Sequence, residues 1–146
     1  MAKQSGAASI FTEIGNHGNT SLLDSASAKE NRFETKIRLE SARDFFVDKL
    51  LNFDHLVLKS DLQGMDASVL AEMPYEIWSK IDRAVVEIWA LPEVHRQDVE
   101  KVVEEHLRFH QFGWTPKSIG KLSRIELISF WLMKSRDTKD LYIKKL

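Results

Sequence analysis

Leu39, Ala42, Phe46, Leu50, Phe53 and Val57 recur at spacings of 3, 4, 4, 3 and 4 residues. Apolar residues at that interval line one side of a helix, so residues 32 to 58 are expected to form one long helix. At a rise of 1.5 Å per residue it would be about 40 Å long. Phe45 and Leu56 widen its apolar side toward a second neighbour. The same period returns in PYEIWSKIDRAVVEIWAL. There Pro74 stands where a first turn tolerates a missing donor, and Ile77, Ile81, Ala84 and Ile88 share one line, with Trp78, Val85 and Trp89 beside it. Pro92 ends that helix by restricting the residue before it.

Capping and breaking residues divide the rest into shorter pieces. Gly64 in SDLQGMD interrupts the first period, and Asp66 is expected to cap a short helix carrying Val69, Leu70 and Met73. A fourth helix is expected from Val94 or Gln97 to Phe112, stopped by a left-handed Gly113. Thr115 and Pro116 open a short turn ending near Gly120, and Ser123 with Glu126 makes a capping box for a helix from Arg124 to about Ser135. Asp137 and Asp140 signal a last helix ending at Leu146. With no sustained strand alternation recognised, the expected fold is all-α: a compact bundle of five or six helices, residues 31–146, behind a flexible N-terminal arm over residues 1–30. The arm holds Gly6, Gly15 and Gly18, with Ile10, Phe11, Leu22 and Leu23 as its candidate docking residues.

A chain of 146 residues, 43% hydrophobic and 29% charged, is sized for one core and is neither disordered nor membrane-like in composition. It has no cysteine, which excludes disulfides, thiolate catalysis and sulfur-ligated metals. Leu127 to Met133, the densest apolar run, is too short to span a bilayer. The first residues lack the apolar core of a signal peptide, so a cytoplasmic protein without membrane attachment is expected.

His106 and His110 are one helical turn apart, the pair with the best metal-ligand spacing in the chain. On a helical wheel both fall within about 20° of Val99, in the middle of the stripe made by Val102, Val103 and Leu107. A metal would need further ligands. Asp82 and Glu87 are the nearest acids by position, but on the helical wheel of their own segment neither faces the core, and Leu107 stands where HExxH requires glutamate. The two imidazoles are therefore expected to pack, not to hold a metal; no cofactor and no catalytic residue is assigned.

The net charge of -1 conceals a split, with residues 66–112 at net -5 and residues 113–146 at net +5. Opposite ends of this kind favour self-association or a charged partner. The expected function is that of a non-catalytic adaptor or regulatory protein, acting through protein-protein contact as a homodimer, its interaction strip formed by His106, His110, Phe112 and Trp114. One alternative is a DNA-binding regulator using a helix-turn-helix-like segment, residues 115–136, with Lys117, Lys121 and Arg124 toward phosphate. Another is a helical metal-dependent enzyme using His106 and His110.

Overall fold

The computed structural model describes residues 6–13, 16–21 and 32–146. It is a mixed α/β fold with two sheets, not an all-α bundle. Strands β1 (Gly6–Glu13), β2 (Asn16–Ser21) and β3 (Arg32–Leu39) form an antiparallel sheet in the order β2-β1-β3. Residues 6–13 and 16–21, expected in an arm without regular structure, are thus strands. Ile10 and Phe11 are half-buried in β1, and Leu22 and Leu23 lie outside the described residues.

The predicted long helix over residues 32–58 is three elements. After β3 come helix α1 (Ala42–Leu50) and strand β4 (Leu56–Ser60). Ser41 starts α1, its Oγ accepting the Asp44 N–H at 3.3 Å, and Phe46 on α1 enters the core. In β3 the residues Phe33, Thr35, Ile37 and Leu39 alternate with Arg32, Glu34, Lys36 and Arg38, which suits a two-residue repeat.

The second predicted helix also splits. Helix α2 (Asp66–Leu70) and a single turn, α3 (Tyr75–Trp78), lead into strand β5 (Ile81–Trp89). Within β5, Ala84, Val86 and Ile88 are buried, while Arg83, Val85, Glu87 and Trp89 lie on the other face. Branched side chains at Ile81, Val85, Val86 and Ile88 favour the extended backbone.

The expected fourth helix begins as α4 (Arg96–Glu100), widens to a π turn over Lys101–Glu105, tightens to a 3-10 turn over His106–Phe109 and becomes strand β6 (His110–Gly113). Gly113 ends a strand, not a helix. A Cβ there would lie 2.2 Å from the Ser118 carbonyl oxygen, so close backbone approach is what requires glycine. The 3-10 turn Pro116–Ser118 and helix α5 (Arg124–Trp131) follow; α5 has the capping box read from the sequence but ends before Ser135, and the turn has a box of its own between Thr115 and Ser118. In α5, Ser123 Oγ accepts the Glu126 N–H at 3.2 Å and a Glu126 carboxylate oxygen accepts the Ser123 N–H at 2.9 Å. The expected C-terminal helix is strand β7 (Thr138–Lys145).

The second sheet has the order β4-β5-β7-β6, with β4 and β5 parallel and the other pairs antiparallel. Its register sets Leu58 beside Ala84, Ala84 beside Ile143 and Ile143 beside Phe112, a row that faces the core. Trp78, Leu70, Val99, Val103, Leu107, Leu127 and Trp131 supply the helical side of that core. We expect Ile88→Ala, at a fully buried position, to cost about 2–5 kcal/mol in denaturant unfolding. Val57→Ala, at a β4 residue 81% exposed, should change stability by less than about 0.5 kcal/mol.

Candidate site at the carboxyl ends of the parallel strands

Parallel strands joined by helices gather their loops at the carboxyl ends, and here β4 ends at Ser60, opposite Val86, while β5 runs on to Trp89. The next residues are Asp61 and Glu87. Asp61 leads into a tight turn in which Gln63 and Gly64 both take positive φ, 49° and 95°. Two successive left-handed residues fold the chain back on itself, and glycine bears the larger angle.

The reversal returns Asp66 beneath the end of β4. Its carboxylate accepts the Ser60 hydroxyl and, at 3.3 and 3.2 Å, the Leu62 N–H. Asp66 was expected to cap α2. It is instead the first residue of that helix and ties the preceding loop to the strand. Burial outweighs these hydrogen bonds and raises its pKa from 3.8 to about 6.

On the other side of the strand end Asp61 and Glu87 form a linked pair. Gln63 Nε2 donates to Asp61 at 2.9 Å and reaches Glu87 at 3.5 Å, while Trp89 Nε1 donates to Glu87 at 2.7 Å. The hydrogen bond with Glu87 holds Asp61 below the usual carboxylate range, whereas burial, against the Trp89 bond and with Asp61 alongside, raises Glu87. Of the two, Glu87 is therefore the one that takes up a proton first as pH falls. Beside Asp61 a cavity of about 390 Å³ runs along the unpaired edge of β4, its apolar floor made by Phe46, Leu58, Val69 and Leu70 and its rim by Ser60 and Asp61. An apolar floor with a few directed polar groups is the usual make-up of a small-molecule pocket.

The residues singled out from sequence lie elsewhere and serve the interior. His106 and His110 do not share a helical face, because His106 opens the 3-10 turn and His110 starts β6; both pack against Trp78. His106 stacks on the Trp78 ring at 5.4 Å and 14°, and His110 meets its edge at 6.2 Å and 77°. His110 Nε2 donates to the Ile81 carbonyl at 3.1 Å, which fixes its tautomer. Phe112 is buried in β6. Trp114 is half-buried, edge-on to Phe130 at 4.9 Å, and Lys139 Nζ lies 5.2 Å from its ring centroid.

Lys117 and Lys121 are exposed, but Arg124 is occupied. Its guanidinium donates to the carbonyls of Val103, Leu107 and Arg108 at 3.4, 3.2 and 3.1 Å, closing the end of the irregular helix. Among the described residues no group of three or more histidine or acidic side chains could hold a metal ion. Nor, among them, is any helix long and apolar enough to cross a membrane. The chain matches no family model, no curated protein and no solved structure. Asp61 and Glu87 escape a sequence reading because 26 residues separate them and only strand register joins them; the one local sign is Gly64 between two aspartates.

Two buried groups should shape stability between pH 4 and 6.5 in opposite ways. Burial lowers His106 from 6.5 to about 4, so its contribution is whole above pH 6.5 and is lost as pH falls through 4. Asp66 is raised, so its contribution is whole below 3.8 and is lost as pH rises through about 6. Each shift amounts to about 3 kcal/mol at about 1.4 kcal/mol per unit. In denaturant unfolding across this window, the stability of His106→Phe relative to the parent should fall as pH rises, and that of Asp66→Asn relative to the parent should rise. Parallel slopes for the two variants would count against both assignments.

Proposed function

We propose that this chain is a small-molecule-binding α/β module whose ligand lies along the open edge of β4. The ligand presents hydroxyl or ammonium donors to Asp61 and an apolar body to Phe46, Leu58, Val69 and Leu70. One observation carries the reading: Asp61, which follows the end of β4 and is hydrogen-bonded with Glu87 of the neighbouring β5, rims that apolar cavity. Ligands of open α/β sheets favour this position because the loops there are free to vary while the strands hold them. Asp61, whose carboxyl is held below the usual range, accepts from the ligand, and Glu87, raised by burial, supports it through their hydrogen bond. A chain without cysteine suits a reducing compartment, and a cytoplasmic setting is part of the proposal.

The expectation of protein-protein contact finds support on a different surface from the one first assigned. His106, His110 and Phe112 are interior, so the strip they were to form with Trp114 is not carried forward. The bare face of the second sheet is the surface that fits it.

Backbone amide NMR of the labelled protein, titrated with a fragment set of aryl amines and aryl polyols, tests the small-molecule reading. Shifts should cluster at Leu58–Asp66, Val69 and Leu70, and Asp61→Asn should weaken the best fragment at least about tenfold, the scale of a charge-assisted hydrogen bond. Because Asp61 is held low, an ammonium fragment should keep its affinity as pH falls through the usual carboxylate range. Fragments that bind elsewhere, or that are indifferent to Asp61→Asn, would remove the reading.

A further inference from the structure

Among the described residues, the helices pack on one side of the β4-β5-β7-β6 sheet. On the other side β5 presents Arg83, Val85, Glu87 and Trp89, and Val57 of β4 is 81% exposed. A parallel pair such as β4 and β5 is ordinarily covered on both faces, since the helices that connect such strands sit on both. Here a cavity of about 470 Å³ lies over the bare face instead, its floor Val57, Val85, Tyr142 and Ile119 and its flank Arg83 and Lys144.

The charges on that flank are a second, independent sign. Arg83 and Lys144 are directly opposite each other in the β5-β7 register, and like charges so placed repel. Among the described residues neither has a carboxylate within ion-pair distance. Lys59, beside Val85 in the β4-β5 register, adds a third cation to the same face, paired only loosely with Asp61 at 3.5 Å. Val85 and Tyr142 share a row with Lys59 at its β4 end; the row on one side is Val57, Arg83 and Lys144, and that on the other sets Glu87 opposite Asp140, so a complementary partner needs an apolar stripe with carboxylates along its Arg83-Lys144 border.

We propose that the bare face of the second sheet docks an amphipathic α-helix of a separate polypeptide, apolar toward Val57, Val85, Tyr142 and Ile119, with acidic residues set between Arg83 and Lys144. A helix is the element that covers a sheet face, whereas a strand would add at the β4 edge. The carboxylates relieve the repulsion between the two cations, and the stripe covers Val57. This docking is separable from the small-molecule site, because the Phe46 cavity has the core-facing Leu58 for its β4 wall and Asp61 meets the docking face only through Lys59.

The test uses a labelled helical peptide of about 18 residues, spanning roughly 27 Å. Its leucines repeat at helical spacing and are bordered on one side by glutamates; a second peptide carries lysine in place of each glutamate. Fluorescence anisotropy with the full chain should show saturable binding of the acidic peptide only. Arg83→Glu with Lys144→Glu should weaken it at least about tenfold, and Val57→Asp, at an exposed position that leaves folding intact, should do the same. Asp61→Asn, which removes only the loose partner of Lys59, should not weaken peptide binding, whereas it weakens the fragments, and that separates this proposal from the small-molecule reading. No binding, or equal binding of both peptides, overturns the proposal. So does self-association that buries Val57, and so does salt-sensitive binding of duplex DNA or anionic vesicles that is lost on Arg83→Glu while the acidic peptide fails.

Discussion

The pairing of β5 with β4 on one side and β7 on the other fixes nearly everything else in the second sheet. Because side chains alternate along β5, one register places Ala84, Val86 and Ile88 against the helices and leaves Arg83, Val85, Glu87 and Trp89 outside. A slip by one residue would send three buried apolar groups out and two charges in, an exchange that costs far more than any single surface contact contributes. The same register brings Glu87 level with the residue following β4. Core, acid pair and bare face are therefore three consequences of one alignment.

Polar groups inside this core are few and are held in ways that keep them neutral or tethered. His110 is anchored through the Ile81 carbonyl, which ties the start of β6 to the start of β5. Among the described residues His106 has no ring-nitrogen partner of good geometry, and its stacking on Trp78 is an aromatic contact that a charged ring would make less well. Asp66 fastens the loop after β4 through Ser60 and the Leu62 amide, so its cost of burial is set against the order it gives that loop. Trp78 links these regions, its indole N–H donating to the Leu70 carbonyl at 3.3 Å.

The local signals were legible, the periods much less so. Ser123 with Glu126 marks a helix start because a capping box is a contact between residues three apart, which sequence contains in full. Pro116 after Thr115 marks a turn for the same reason. In Ile81–Trp89 the apolar residues fit a helical stripe through Ile81, Ala84 and Ile88 as well as a strand through Ala84, Val86 and Ile88, and only the branched composition favours the strand. In Arg32–Leu39 the alternation of Phe33, Thr35, Ile37 and Leu39 with charges was open to view. It was masked by counting Leu39 into the spacing that runs on through α1. The candidate site had no such local trace, since Asp61 and Glu87 meet through hydrogen bonds between strands.

The wide turn over Lys101–Glu105 takes one more residue per hydrogen-bonded ring than ordinary helix does. It separates a regular helix from a 3-10 turn that takes one fewer, so winding is loosened and then tightened within nine residues before β6 begins. Such a joint can absorb a change in chain length: losing a residue there converts loose winding to normal winding, and the strand beyond keeps its place in the sheet. Loss of one of the exposed residues Glu104 or Glu105 would thus leave ordinary helix in place of the wide turn, with Val102 and Val103 still in the core.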